Sequence, residues 1–185
     1  MKKIVAIGAL SFFSLLAFAF SYQVYLNWKI DSEKAMVKFS MQAHGQELIG
    51  NFKGAKGNIS FDEKDLATAS LSCDIDIKTI NTGIPDRDRH LQATDFFDAA
   101  SAPVANFTSS SFVKTAEGYA VTGKLSIKKT VKEITIPFVF TGSGDAGVFK
   151  ASFPIKRSDF QIGDADDDIS DKVTITLEIP VIKAQ

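Results

Sequence analysis

The side chains able to do acid–base, metal or phosphate chemistry in this sequence gather mainly in one stretch. His90 has Asp88 and Asp95 close to it along the chain, and the other histidine is His44. Imidazole and carboxylate groups act as acids and bases or hold metal ions, which makes a metal-dependent or lipid-modifying enzyme one hypothesis. The two histidines lack the tight spacing of a metal site, so the enzyme stays an alternative and no metal ligand set is predicted.

Two arginines in the same stretch suit an anionic head group. Arg87 and Arg89 flank Asp88, and a guanidinium group binds phosphate oxygens in pairs. We therefore treat His44, Arg87, Arg89 and His90 as head-group candidates. The alternative is a structural role, in which Arg87 and Asp88 pair to hold this part of the chain in place.

Other catalytic motifs are missing or lack their structural context. Gly142, Gly144 and Gly147 match G-x-G-x-x-G, but a strand pattern follows where a phosphate-binding helix would be required, so we predict a hairpin turn. No G-x-S-x-G occurs, and the single cysteine, Cys73, alternates with apolar residues like a buried hydrophobe. The sequence therefore predicts no enzyme activity and no cofactor.

The segments that must position these residues are mostly strands. Apolar and polar residues alternate with period two in five segments: 35–43, 71–77, 119–127, 149–155 and 173–181. Further strands are predicted near 24–30, 49–61, 104–113 and 134–140. Pro137 falls inside one of them and indicates an edge, a bulge or a barrel seam. Residues 81–100 break the pattern and predict a connection with a helical turn, begun at Asp86, that covers one end of the sheet.

The polarity of the strands limits the architecture. One face of each strand carries Lys, Thr, Ser and Asp, so these antiparallel strands form either a sandwich or a barrel that is apolar inside and polar outside. A barrel of that polarity is the arrangement of a soluble lipid carrier and not of a porin. Phe is abundant, with 16 in the chain against 3 Tyr and 1 Trp. The interior is therefore expected to be dry and wide.

Inward-facing apolar residues are the candidate lining of a lipid cavity. The predicted ligand-binding residues are Phe39, Phe52, Phe61, Ile75, Leu91, Phe96, Phe97, Phe107, Leu125, Phe138 and Phe153. The alternative is that these side chains fill a solid core, as in an interaction module without a cavity. The formal net charge of -1 predicts no nucleic-acid partner.

The first residues have the composition of a targeting segment. Met1-Lys2-Lys3 is followed by an apolar run to Phe20, and Ala17-Phe18-Ala19 fits a cleavage site, which predicts a signal peptide over 1–19 and a single domain over 20–185. The expected location is the periplasm, or the medium after secretion, without a membrane span once the segment is cleaved. An uncleaved membrane anchor is the alternative. A homodimer is compatible with the sequence.

An ordered series of short motifs resembles a known family. The series is Trp28-Lys29-Ile30-Asp31-Ser32, Val37-Lys38-Phe39, Gly50-Asn51-Phe52, Gly57-Asn58-Ile59-Ser60-Phe61-Asp62, Arg87-Asp88-Arg89-His90-Leu91, Asp95-Phe96-Phe97-Asp98, Phe107-Thr108-Ser109, Val121-Thr122-Gly123-Lys124-Leu125-Ser126-Ile127 and Arg157-Ser158-Asp159-Phe160-Gln161-Ile162. In this order, and from about residue 28 to 181, it closely resembles the YceI-like family of exported polyisoprenoid-binding proteins.

The resemblance implies an extended, lipocalin-like antiparallel barrel of about eight strands in the bacterial periplasm. It also implies that a long isoprenoid or acyl chain threads the barrel, with an isoprenoid quinone or a polyprenyl phosphate as candidate ligands. Two positions depart from the family pattern. Gln161 and Lys128-Lys129 stand where the family has glycine, which puts the shape of these two loops in doubt.

Overall fold

Ten strands and one short helix make up the fold in this computed structural model, which describes residues 26–164 and 168–184. The predicted signal peptide lies outside the described residues. The strands are β1 (Asn27–Ile30), β2 (Met36–Ala43), β3 (Gln46–Phe52), β4 (Lys56–Ser60), β5 (Ser70–Asp76), β6 (Val104–Thr115), β7 (Gly118–Ile127), β8 (Thr130–Ser143), β9 (Ala146–Lys156) and β10 (Lys172–Lys183), and the helix is α1 (Pro85–Leu91). Within the described ranges, no helix combines the length and apolar character needed to cross a bilayer.

The strands close into an antiparallel barrel of eight. Hydrogen-bonded neighbours run β1-β4-β5-β6-β7-β8-β9-β10, and β10 returns to β1. β2 continues the line of β1 along β10, since β10 pairs with β1 near Val181 and with β2 near Thr174. β3 pairs with β2 in the same way that β4 pairs with β1. The predicted all-β barrel of about eight strands, with a short helical connection over one end, is confirmed.

Two local predictions need correction. The segment 49–61 is not one strand, because Gly54 adopts φ +70° between β3 and β4 and breaks the pairing there. Helix α1 is not capped by Asp86: Ile84 is the N-cap residue and Pro85 occupies the first turn, where its missing N–H costs nothing. The predicted hairpin at Gly142–Gly147 is confirmed as the turn between β8 and β9.

Pro137 lies at a seam in the barrel, where two neighbouring strands are not paired along their full length. A seam was one of the three alternatives predicted for this proline, beside an edge and a bulge. β8 pairs with β7 along residues 119–127 of β7, but its pairing with β9 begins only at Phe138. A proline has no N–H to give to a ladder, so the two strands separate at this point. A 3₁₀ turn, Ser158–Phe160, lies beside the separated part, and the Phe160 side chain is 1% exposed within a small cluster with Ile127 and Ile162.

The barrel end that contains Trp28 is closed by aromatic rings. Phe61 lies at the centre and contacts five rings at centroid distances of 5.2–6.1 Å, those of Phe112, Tyr119, Phe138, Phe140 and Phe149. The Trp28 indole donates a hydrogen bond of 2.9 Å to the Phe61 carbonyl, and the Tyr119 hydroxyl donates one of 2.7 Å to Glu63. We call this closed end the floor.

Candidate functional site

The barrel encloses an apolar cavity of about 900 Å³ above the floor. Its wall is made by the alternate side chains that each strand turns inward, because successive residues of a strand point to opposite faces. Ten of the eleven predicted lining residues line it: Phe39, Phe52, Ile75, Leu91, Phe96, Phe97, Phe107, Leu125, Phe138 and Phe153. The alternative of a solid core does not apply to this barrel.

Phe61 is the predicted lining residue that the structure places elsewhere. It is 1% exposed and packs behind the rings that line the cavity, so it supports the floor and does not touch the lumen. The reason is depth along the barrel axis: Phe61 follows the last residue of β4, at the very end of the barrel. Alternation in a sequence assigns a side chain to a face of the sheet but does not assign it to a depth.

Glycines opposite two wall phenylalanines keep the lumen open. A Cβ atom at Gly50 would lie 2.2 Å from Cζ of Phe39, and one at Gly123 would lie 2.6 Å from Cζ of Phe107. Each ring therefore lies over the backbone of the neighbouring strand instead of projecting to the axis. This arrangement explains how a barrel rich in Phe retains a cavity.

Several lining residues were missed at the sequence level although the signal was present. Phe112 and Phe149 line the cavity near the floor, and Ile136 and Ile179 line its wall. Phe149 and Ile179 fall in predicted alternating segments, on the same face as the residues that were chosen. They would have been found if every inward-facing position of these segments had been chosen as a lining residue, and not mainly the phenylalanines.

The cavity opens at the opposite end, between the β2–β3 hairpin and α1. His44 and Glu47 of the hairpin and Arg87 and His90 of the helix all line the cavity there and have exposed or half-exposed side chains. Three of the four predicted head-group candidates therefore lie together around this opening, which we call the mouth. The exposed Ile49, 55% accessible, also lies at the mouth and extends the apolar wall toward solvent.

Arg87 and Asp88 are held through a third residue. Asp88 Oδ1 accepts hydrogen bonds from the Thr82 backbone N–H at 2.8 Å and from its hydroxyl at 2.5 Å. Arg87 donates from Nε to the Thr82 hydroxyl at 2.8 Å and from Nη2 to the Thr82 carbonyl at 2.9 Å. The predicted structural role is thus present, but both side chains bond to Thr82. These hydrogen bonds hold the Arg87 guanidinium in a fixed position at the mouth.

Arg89 is the head-group candidate that the structure places away from the mouth. Its side chain is 76% exposed, forms an ion pair with Asp86 and does not line the cavity. Residues two apart on a helix face different directions, so only one of Arg87 and Arg89 can point to the mouth.

The groups named in the enzyme hypothesis are only partly brought together. His90 Nε2 lies 3.4 Å from Asp95 Oδ2, and the His90 ring packs edge-on against Phe96. Asp88 is bonded to Thr82, as described above, and His44 lies on the hairpin across the mouth. In the part of the chain that the structure describes, no three His, Cys, Asp or Glu side chains are grouped to hold a metal ion.

A buried arginine at the α1 end of the barrel was not singled out from the sequence. Arg157 is 7% exposed, lines the cavity and donates to the carbonyls of Ile162, Asp164, Ile169 and Ser170 at 2.6–3.3 Å. These bonds tie the loop after β9 across this end. The only signal for this residue in the sequence was that Arg157 begins the motif that ends at Ile162, one of the motifs shared with the family.

Cys73 faces the cavity from β5. Burial raises the pKa of its thiol to about 11, with a smaller contribution from the nearby Asp74 carboxylate. The neutral thiol is therefore the form present at ordinary pH, and it behaves as part of the apolar wall.

Known structures share this fold. The crystal structure of BcnA from Burkholderia cenocepacia is similar with a TM-score of 0.77 and 29% sequence identity, over 82% of this chain and 98% of that one. A polyisoprenoid binding domain from Saccharophagus degradans is similar with a TM-score of 0.67, over 86% of this chain and 99% of that one. Its sequence identity of 16% makes the second likeness one of fold alone.

Sequence relatives cover nearly the whole chain. The UPF0312 protein YE1254 of Yersinia enterocolitica is 32% identical over 98% of this chain and 96% of its own length. Protein YceI of Escherichia coli is 36% identical over 88% of each chain. The family model of the YceI-like domain matches residues 28–181, a range that begins in β1 and ends in β10. The chain therefore belongs to the YceI-like domain family.

Proposed function

We propose that this protein binds and carries a long apolar lipid, a polyisoprenoid chain in particular, and that it is not an enzyme. The observation that carries the proposal is the apolar cavity of about 900 Å³, closed at the floor and open at the mouth. The Saccharophagus degradans neighbour is described as a polyisoprenoid binding domain, which agrees with this class of ligand.

The cost of the cavity favours an apolar occupant. Unfilled apolar space inside a protein costs stability in proportion to its volume, so an occupant that fills this cavity stabilises the fold. Water is a poor filling, because ordered water needs several polar partners and the wall offers few. A lipid chain removes both problems.

The capacity of the cavity gives a useful affinity. At about 30 Å³ for each heavy atom, the volume of a liquid water, 900 Å³ holds about 30 carbon atoms. With a ceiling of about 0.3 kcal/mol per atom for large ligands, the binding free energy of such a chain has an upper bound of about 9 kcal/mol, which corresponds to a Kd of about 1 μM or slightly lower. The apolar tail can therefore supply most of the binding free energy.

The mouth supplies polar groups for the head of such a lipid. Arg87 and His90 on α1 and His44 on the hairpin surround the opening. They suit the oxygens of a quinone or of a phosphate, so an isoprenoid quinone and a polyprenyl phosphate are both suitable ligands. We further propose a periplasmic location, or secretion, which rests on the targeting segment at the N-terminus of the sequence.

The test is the lipid content of the purified protein. We expect organic extraction and mass spectrometry of the protein expressed with its native leader to recover an isoprenoid or other long-chain lipid in near-stoichiometric amount. Ala151→Trp places an indole in the cavity, whereas Ser152→Trp places one on the outer face of the same strand. We expect the first variant to retain less lipid than the wild type and the second to retain as much. A wild-type protein that folds without any lipid, and takes up none, would overturn the proposal.

A further inference from the structure

Three phenyl rings separate the cavity from the packed end of the barrel. Phe112, Phe138 and Phe149 line the bottom of the cavity. Each also lies against Phe61, at ring-centroid distances of 6.1, 5.6 and 5.4 Å respectively. Phe61 does not line the cavity, so these three rings are the surface at which an inserted chain must stop.

This surface is held by strands and not by a loop. The three rings belong to β6, β8 and β9, and Phe138 stacks on Tyr119 at 5.5 Å. The Phe61 carbonyl behind them is fixed by the Trp28 indole. A chain of methyl-branched carbons cannot pass without unpacking several rings that each bury a large area.

We infer that the floor acts as a ruler that limits the length of the bound polyisoprenoid, and that Phe112 is the residue whose size sets the limit. The inference rests on the proposed function. About 30 heavy atoms fit into the cavity, which corresponds to about six five-carbon isoprene units between floor and mouth. Longer chains leave part of their apolar tail in water, and shorter chains leave void, so a length near this capacity binds best.

Phe112 is the floor ring that is easiest to vary. It is half-buried and contacts the rings of Phe61 and Phe138, whereas Phe138 is 8% exposed and contacts four rings. Phe112→Ala removes six ring carbons, roughly the volume of one isoprene unit. Phe112→Trp adds atoms at the same place. The two substitutions should therefore move the preferred length in opposite directions.

The experiment measures length preference directly. Delipidated protein is mixed with an equimolar ladder of polyprenols, from about four to about ten isoprene units, and the bound species are read by native mass spectrometry. For the wild type we expect a maximum near about six units. We expect Phe112→Ala to shift it up by about one unit and Phe112→Trp to shift it down.

Two controls separate depth from other effects. Val113→Ala alters the next residue of β6, whose side chain is 53% exposed on the outside, and should leave the preference unchanged. Phe107→Ala removes a wall ring of the same strand, above the floor, and should broaden binding without the shift that Phe112→Ala gives.

Each outcome decides one question. If the wild type binds polyprenols but the maximum stays fixed in both Phe112 variants, or moves equally in Phe107→Ala, the ruler is refuted and the proposed function stands. If the wild type binds no polyprenol of any length, both are refuted. Because Phe112→Trp leaves no void in the floor, it tests the inference even if Phe112→Ala fails to fold.

Discussion

Lys128 and Gln161 adopt the left-handed backbone conformation, with φ of 55° and 54°. These are the two positions at which the sequence departs from the glycine expected by resemblance to the family. For a residue with a Cβ, this conformation is unfavourable by about 1–2 kcal/mol. The Lys128 ammonium donates a hydrogen bond of 2.7 Å to the Gln161 carbonyl, so the two strained residues also stabilise each other.

Gln161→Gly should therefore stabilise the protein. We expect the free energy of unfolding to rise by about 0.5–1 kcal/mol, since the strain relieved exceeds the extra chain entropy of glycine in the unfolded state. Denaturant unfolding measures it. Gln161→Ala is the control: it removes the same amide but keeps the Cβ, and it should bring no gain. Equal gains from both variants would show that backbone strain is not the cause.

Cys73 should report on occupancy of the cavity. With a thiol pKa of about 11 in place of 9.0, the thiolate fraction near pH 8 falls about 100-fold. We expect slow alkylation by iodoacetamide in the folded protein, with a rate that is still rising above about pH 10. Bound lipid should slow it further, and Cys73→Ser should abolish the added mass. Alkylation as fast as in the denatured chain would contradict the burial of this thiol.

The same pKa shift sets the sign of a pH effect on stability. The neutral thiol is favoured by the folded state, so its contribution to stability is fully present below the ordinary pKa and is lost as the pH rises toward about 11. Tyr119 contributes to stability with a pH dependence of the same sign, because its hydrogen bond to Glu63 raises the pKa of the phenol to about 12. The floor should therefore hold through neutral and mildly alkaline pH.

The connection that carries α1 is fixed at its start by Thr82. Thr82→Val removes a hydroxyl that bonds to both Arg87 and Asp88 and should cost about 1–2 kcal/mol of local stability. We expect faster amide hydrogen exchange in α1 and faster release of a bound polyprenol, measured by transfer to vesicles. Asp86→Ala, which breaks the exposed pair with Arg89 and leaves the Thr82 hydrogen bonds in place, is the matched control and should change neither rate. Unchanged release in Thr82→Val would mean that α1 does not control the mouth.

At the level of elements, periodicity predicted the strands and the outward polar face, because period-two alternation is visible in one sequence. It did not predict that 49–61 is divided at Gly54, since a glycine within a segment that resembles a strand does not reveal its φ. Phe61 lies behind the floor because of its depth along the barrel axis, and this depth is set only when the barrel closes. Arg89 lies outside the mouth because of the side of α1 that it occupies, and the direction of that side is set only when α1 packs on the barrel. Arg157 was missed because its partners are backbone carbonyls, which carry no sequence signal.

For the whole molecule, the large cavity predicts a strong link between stability and occupancy. A lipid at about 100 times its Kd adds about 2.7 kcal/mol of stability. For a domain of this size, that should raise the melting temperature by about 5–10 °C over the delipidated protein. Differential scanning calorimetry measures it, and the Ala151→Trp variant, whose indole occupies part of the cavity, should show a smaller response. Equal melting temperatures with and without lipid in the wild type would contradict a preformed lipid site.

A cavity that is closed at the floor and open between the β2–β3 hairpin and α1 also constrains the exchange of its contents. If the cargo is a lipid, as proposed, it enters tail first and leaves head first through the gap between the β2–β3 hairpin and α1. The donor and the acceptor of the lipid must then approach the same side of the carrier, one after the other. A bound lipid has to leave through the opening before the next one can enter. Loading and delivery are thereby mutually exclusive events, and a partner that covers the hairpin should arrest both.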